Sequence, residues 1–144
     1  MPPPINLPDH LRERCRPLND LAPAVDGEFV LYWCHHAARD HHNPALDTAL
    51  HAAEALRLPV LVYQGLGGPH RFNSDRHHTF ILAGARSLRR ILHQRSIPHV
   101  FWLGRDPAEP TPLTGLARRA ALVVAEDYPA PPFPAWSERL ARQV

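Results

Sequence analysis

An apolar run rich in strand-forming residues occupies positions 28–34: Glu28-Phe29-Val30-Leu31-Tyr32-Trp33-Cys34. Because almost every side chain in it is apolar or aromatic, both faces of the resulting strand are expected to be buried. Strands buried on both faces occur mainly in parallel sheets that helices cover on either side. The run therefore predicts a central strand of an α/β sheet.

The alternation of apolar runs and amphipathic patterns continues along the chain. Three further runs predict strands, at 58–63, 97–103 and 121–125. Helical spacing of apolar residues predicts helices at 44–57, 75–95, 111–119 and 134–142. Gly65-Leu66-Gly67-Gly68-Pro69 predicts a turn after the second strand. The pattern predicts a mostly parallel sheet of order 3-2-1-4 with helices on both faces.

Composition places the chain among ordinary globular domains. It has 144 residues, 44% of them hydrophobic and 21% charged, and its apolar runs are too short to cross a bilayer. The N-terminus, Met1-Pro2-Pro3-Pro4, has neither the basic flank nor the apolar run of a secretory signal. Two cysteines, Cys15 and Cys34, are too few for a disulfide scaffold. We therefore expect a reduced protein in the cytoplasm, with no membrane association.

The charge balance gives little indication of a partner. All sixteen basic residues are arginine, and fourteen carboxylates leave a net charge of only +2. A charge this small, scattered along the chain, is not the electrostatic pattern of a nucleic-acid-binding protein. We therefore expect no direct contact with nucleic acid.

The loop after the first predicted strand, residues 34–44, is almost entirely polar. In open parallel sheets, ligands bind outside the carboxyl ends of strands, where the strand order reverses. Asn43 followed by Pro44 predicts a helix N-cap, since the Asn oxygen accepts from free N–H groups and Pro has none to lose. This loop and the end of the fourth strand are therefore expected to enclose a ligand crevice.

Seven residues are predicted to line that crevice. They are Cys34, His35, Arg39 and Asn43 on one side, and Glu126, Asp127 and Tyr128 on the other. Arg39 offers planar donors for a flat heterocycle, and the helix start behind Asn43 suits an anionic group. Tyr32 and Leu46 are expected to form its apolar walls.

Four histidines and a cysteine in the loop raise the possibility of a metal site. The histidines come as adjacent pairs, His35-His36 and His41-His42, whose side chains point apart. No Cys-x-x-Cys or His-x-x-x-His spacing supports them, so we predict no metal there. Two interpretations of the function stay open at this point: a small nucleotide-binding protein, which the missing glycine phosphate loop disfavours, and a metal-dependent enzyme.

Several segments follow one another in an order and spacing that match a known family. The first is Phe29-Val30-Leu31-Tyr32-Trp33 with Arg39, Asn43, Ala45 and Leu46 behind it. The others are Arg16-Pro17-Leu18-Asn19, Leu58-Pro59-Val60-Leu61-Val62, a helix signature with Arg76, His77, Phe80, Leu82 and Gly84, and Ile97-Pro98 followed by Leu122-Val123-Val124. The chain thereby resembles class II cyclobutane-dimer DNA photolyases, over about residues 14–140.

The resemblance implies the N-terminal α/β domain of the photolyase/cryptochrome family, a Rossmann-like sheet involved in light-dependent DNA repair. In some members this domain holds an antenna chromophore, a deazaflavin or another flavin, that passes excitation to FAD in a separate helical domain. The resemblance covers neither that FAD-binding helical domain nor the family's fifth strand. We therefore expect residues 1–27 as a Pro-rich extension and 28–144 as the α/β domain. FAD and catalysis are not expected in this chain alone.

Overall fold

β1, Phe29–Trp33, lies inside the sheet and all five of its residues are buried. The computed structural model describes residues 5–67, 74–106 and 108–144. In this part of the chain, β1 pairs in parallel with β2, Val60–Leu66, and with β4, Ala120–Ala125; β3, His99–Leu103, pairs in parallel with β2. The sheet order is β3-β2-β1-β4, which confirms the predicted Rossmann-like order 3-2-1-4.

Helices cover both faces of this sheet. The described helices are α1, Asp9–Arg12; α2, Pro44–Leu56; α3, Asp75–Gln94; α4, Leu113–Arg119; and α5, Phe133–Ala141. Side chains of α2 and α3 pack on Val30 and Tyr32, on one face of β1. Those of α4 and α5 pack on the opposite face, against Leu31 and Trp33. Alternate residues of β1 thus belong to two separate cores.

The second strand is longer than predicted, and this corrects the turn expected at Gly65. β2 continues through Gly65 and Leu66 because β3 pairs with both, through Trp102 and Leu103. Gly68 and Pro69, the rest of that predicted turn, lie outside the described residues. β3 is an edge strand, so its Trp102 is only half-buried.

The N-terminal segment packs against the α/β domain. Leu11 of α1 is buried, and α1 contacts α2. Farther along, the Ala24 N–H donates to the Ala121 carbonyl at 2.9 Å, and the Glu28 N–H donates to the Arg119 carbonyl at 2.9 Å. These bonds occupy backbone acceptors at the start of β4. Within the described part of the chain, no helix has both the length and the apolar character needed to cross a bilayer.

Two glycines offer a matched test of this packing. A Cβ on Gly27 would lie 2.3 Å from the backbone of Ala121, whereas one on Gly84, inside α3, meets nothing within 4 Å. Gly27→Ala should destabilise the protein by about 1–3 kcal/mol through overpacking. Gly84→Ala should stabilise it by about 1 kcal/mol, the difference in helix propensity. Urea unfolding measures both, and a neutral Gly27→Ala would contradict the docking of this segment on β4.

Candidate functional site

Glu126, the first residue after β4, links the carboxyl ends of β1 and β4 through its carboxylate. Its Oε2 accepts from the N–H groups of His35, at 3.0 Å, and His36, at 3.2 Å. Its Oε1 accepts from the Ala37 N–H, at 3.2 Å, and from the Tyr32 hydroxyl. One side chain thus satisfies three backbone donors that the end of β1 leaves without strand partners.

Asn43 holds the other end of the same loop. Its Oδ1 accepts from the Leu46 N–H at 3.1 Å, which confirms the predicted N-cap of α2. Its Nδ2 donates to the carbonyls of Ala37, at 3.1 Å, and Arg39, at 2.9 Å, and lies 3.0 Å from the Tyr32 hydroxyl oxygen. Tyr32 therefore joins Asn43 to Glu126, and we call these three side chains the edge network.

Tyr32 in the edge network and Cys34 beside it are held protonated. Burial, together with Cys34 and Glu126, raises the pKa of the Tyr32 hydroxyl well above its usual range. Burial and Glu126 also raise the pKa of the Cys34 thiol to about 12. A buried, protonated thiol whose Sγ lies 3.8 Å from the Ala37 carbonyl oxygen is a structural group and a poor nucleophile.

Aromatic rings close the space above the edge network. The His35 ring stacks on Phe133, at the start of α5, with 5.2 Å between ring centroids, and meets the Trp33 ring edge-on at 4.8 Å. The His36 ring stacks on Tyr128 at 3.9 Å. We call His35, His36, Tyr128 and Phe133 the aromatic cover. Because the His35 side chain is buried, its pKa is lowered and the neutral ring is favoured.

The predicted site residues separate into an inner and an outer group. Cys34, His35, Asn43 and Glu126 do come together, but they face inward and bond to the loop itself.

The outer group consists of Arg39, which is exposed, Tyr128, which is half-buried, and Asp127, which is exposed and pairs with Arg16 at 3.3 Å. Tyr32 and Leu46, expected as crevice walls, lie in the core instead because α2 packs directly on β1. Contact of the seven residues with a ligand stays a prediction.

The histidine loop shows no metal-binding cluster. In the described ranges, no group of three or more His, Cys, Asp or Glu side chains is placed to hold an ion. His41 instead lies with its Nδ1 2.9 Å from an oxygen of Asp40, and this contact lowers the pKa of the Asp40 carboxyl.

Sequence reasoning missed two contacts that shape the edge. Phe133 lies in a proline-rich stretch with no pattern that pairs it with His35, and Arg16 is 111 residues from Asp127. Both contacts join segments far apart in the chain, so no local pattern indicates them.

Comparison with known proteins decides the family. A family model described as DNA photolyase matches residues 30–144. The deoxyribodipyrimidine photo-lyase of Methanothermobacter thermautotrophicus (strain Delta H) is 35% identical to the chain over 114 residues. That match covers 79% of this chain and 25% of the relative. The chain belongs to the DNA photolyase family.

The family match starts at Val30 and therefore contains the whole edge network of this photolyase-family domain. The chain spans about a quarter of the length of the curated photo-lyase that it matches. Membership of class II, which the sequence motifs indicate, stays a prediction.

Substitution of Asn43 tests the edge network in this photolyase-family domain. Asn43→Ala should destabilise it by about 3 kcal/mol, because a cap is lost and buried carbonyls lose their donors. Ser74→Ala is the matched control, since Ser74 caps α3 through the His77 N–H but is exposed. Ser74→Ala should lower the free energy of unfolding by about 1 kcal/mol. Urea unfolding measures both losses, and equal losses would show that Asn43 is only a cap.

Proposed function

We propose that this chain is the N-terminal α/β domain of a light-driven DNA-repair flavoprotein of the class II photolyase type. It works with a FAD-binding helical domain that lies outside these 144 residues and carries the catalytic step. The family match over residues 30–144 and the likeness to one quarter of a deoxyribodipyrimidine photo-lyase support this division of roles. The two free thiols, Cys15 and Cys34, suit a reducing cytoplasm.

Exposed apolar side chains on α3 and β3 support the proposal that a partner domain packs on this one. Phe80 on α3 is 78% exposed, and Val100 and Leu103 on the edge strand β3 are 40% and 39% exposed. Because α3 contacts β3, these exposed apolar groups lie on neighbouring elements, and such groups often mark a surface that another domain covers. The helical domain would bury them without disturbing the sheet.

We further propose that the carboxyl edge of β1 and β4 holds a flavin-type antenna chromophore, a deazaflavin or another flavin. The observation that carries this proposal is the reversal of strand order at β1, whose neighbours are β2 and β4. The outer surface of this edge presents flat groups: the Arg39 guanidinium, the Tyr128 ring and Trp136, which is 41% exposed. Rings and guanidinium groups stack on flat heterocycles, and the guanidinium also donates hydrogen bonds to carbonyl oxygens.

A flavin titration tests the antenna site. The purified chain is titrated with FMN and with a deazaflavin while ligand fluorescence is recorded. We expect saturable binding that Arg39→Ala weakens at least about tenfold, which is about 1.4 kcal/mol. Arg118→Ala is the matched control, because it removes an exposed arginine from the end of α4, and should bind as the wild type does.

Three outcomes would contradict parts of this proposal. If Arg39→Ala and Asp127→Ala both bind the flavin as tightly as the wild type does, the ligand lies away from this edge. If the wild type shows no saturable binding, only the structural role of the domain is left. Light-dependent reversal of pyrimidine dimers by this chain alone, with FAD added, would overturn the division of roles between the two domains.

A further inference from the structure

The arginines of this chain are unevenly distributed. Residues 76–105 contain six of the sixteen arginines and none of the fourteen carboxylates. That segment therefore carries a charge of +6 and the rest of the chain −4, which together give the net +2. The small total charge hides a strongly basic region made of α3 and β3.

The fold gathers part of this charge on one surface of α3. Leu88 and Leu92 are buried in the core, so the residues on the other side of the helix face solvent. A shallow groove there is lined by Arg86, Arg89, Arg90, His93 and Gln94. We call these five residues the arginine face.

The arginine face lacks the compensating carboxylates that several arginines elsewhere in the chain have. Arg12, Arg16 and Arg119 each form an ion pair with a carboxylate, at Asp9, Asp127 and Glu28 respectively. Within the described residues, no carboxylate pairs with Arg86, Arg89 or Arg90. Like charges one turn apart on a helix cost about 0.2–0.5 kcal/mol per pair. A surface that carries this repulsion is suited to an anionic partner.

The positive charge of the arginine face also acts on a histidine in the sheet behind α3. His99, the first residue of β3, has a lowered pKa because it is buried and because Arg89 lies nearby. A neutral His99 adds no positive charge beneath the helix, so the arginines themselves supply the attraction to a ligand.

We propose that the arginine face binds the phosphate backbone of duplex DNA without preference for base sequence. Arg86 and Arg90 are separated by about 6 Å along the helix axis, close to the rise of about two nucleotides in one DNA strand. Guanidinium groups bind phosphate oxygens in pairs, and such contacts release condensed counterions. The choice of DNA as the polyanion rests on the proposed function. The charge and geometry of the arginine face are observed independently of that function.

The chemistry of the groove favours a nucleic acid over an acidic protein. Stable protein interfaces usually have a centre of aromatic and aliphatic residues, and no such residue lines this groove, whose apolar surface belongs to the stems of polar and charged side chains. His93 and Gln94 add hydrogen-bond donors suited to phosphate oxygens. The expectation of no nucleic-acid contact depended on the total charge, which does not describe this surface.

Fluorescence anisotropy with a short, undamaged, labelled duplex tests the proposal on the 144-residue chain. We expect saturable binding that weakens steeply between about 50 and 200 mM salt. Arg86→Ala/Arg90→Ala should weaken binding at least about tenfold at the lower salt and reduce the slope of log K against log salt by about 2. Thermal unfolding followed by circular dichroism checks that the variant is folded.

The matched control is Arg118→Ala/Arg142→Ala, which removes the same charge from exposed positions on α4 and after α5, across the sheet. It should bind within about twofold of the wild type if the position of the charge matters. An equal loss in both double variants, or no saturable binding by the wild type, would overturn the proposal.

A poly-glutamate peptide distinguishes the two classes of partner. Tighter binding of that peptide than of the duplex, lost in Arg86→Ala/Arg90→Ala, would overturn DNA in favour of an acidic protein. The flavin titration depends on Arg39→Ala and the DNA titration on Arg86→Ala/Arg90→Ala, so failure of the flavin site and failure of this proposal are separable.

Discussion

One carboxylate, that of Glu126, determines how the sheet of this photolyase-family domain ends. β1 is buried on both faces, so its chain leaves the sheet at a place where backbone N–H groups need acceptors. The N–H groups of His35, His36 and Ala37 all donate to Glu126, which follows directly on β4. Tyr32 and Asn43 extend this arrangement to the first turn of α2. The loop, the helix start and the two strand ends are therefore fixed as one unit.

That constraint also shapes the surface available for function. Because Glu126 and the aromatic cover occupy the space between the strand ends, the ligand that we propose for this edge would lie on the outer side of the cover, against Arg39, Tyr128 and Trp136. The arginine face is on α3, on the side of the sheet opposite α4 and α5. The two surfaces that we propose as functional share no residue, so each can be altered without removing the other.

The strands and helices and the burial of β1 were predictable from sequence because they depend on local patterns, and their alternation indicates a parallel sheet. β1 is apolar throughout, the helices have a regular apolar spacing, and Asn43-Pro44 is a local capping signal. The position of Glu126 opposite the loop was predictable, but its hydrogen bonds to the loop amides were not, because they join residues about 90 positions apart in the sequence. The length of β2 depended on pairing with β3, which outweighed the turn preference of Gly65. The arginine face did have a sequence signal, the carboxylate-free segment 76–105. The net charge does not show it, because the carboxylates of the rest of the chain offset the six arginines of this segment.

Amide hydrogen exchange in Glu126→Gln tests the central role of this carboxylate most directly. The account predicts slow exchange of the His35, His36 and Ala37 amides in the wild type. In the variant, glutamine offers one acceptor oxygen in place of two, so the amides that face its NH2 group, either those of His35 and His36 or that of Ala37, should exchange at least about tenfold faster. The Val30 and Val62 amides, which donate to the carbonyls of Pro59 and Pro98, should stay protected in both proteins. Unchanged exchange at the three loop amides would contradict the account.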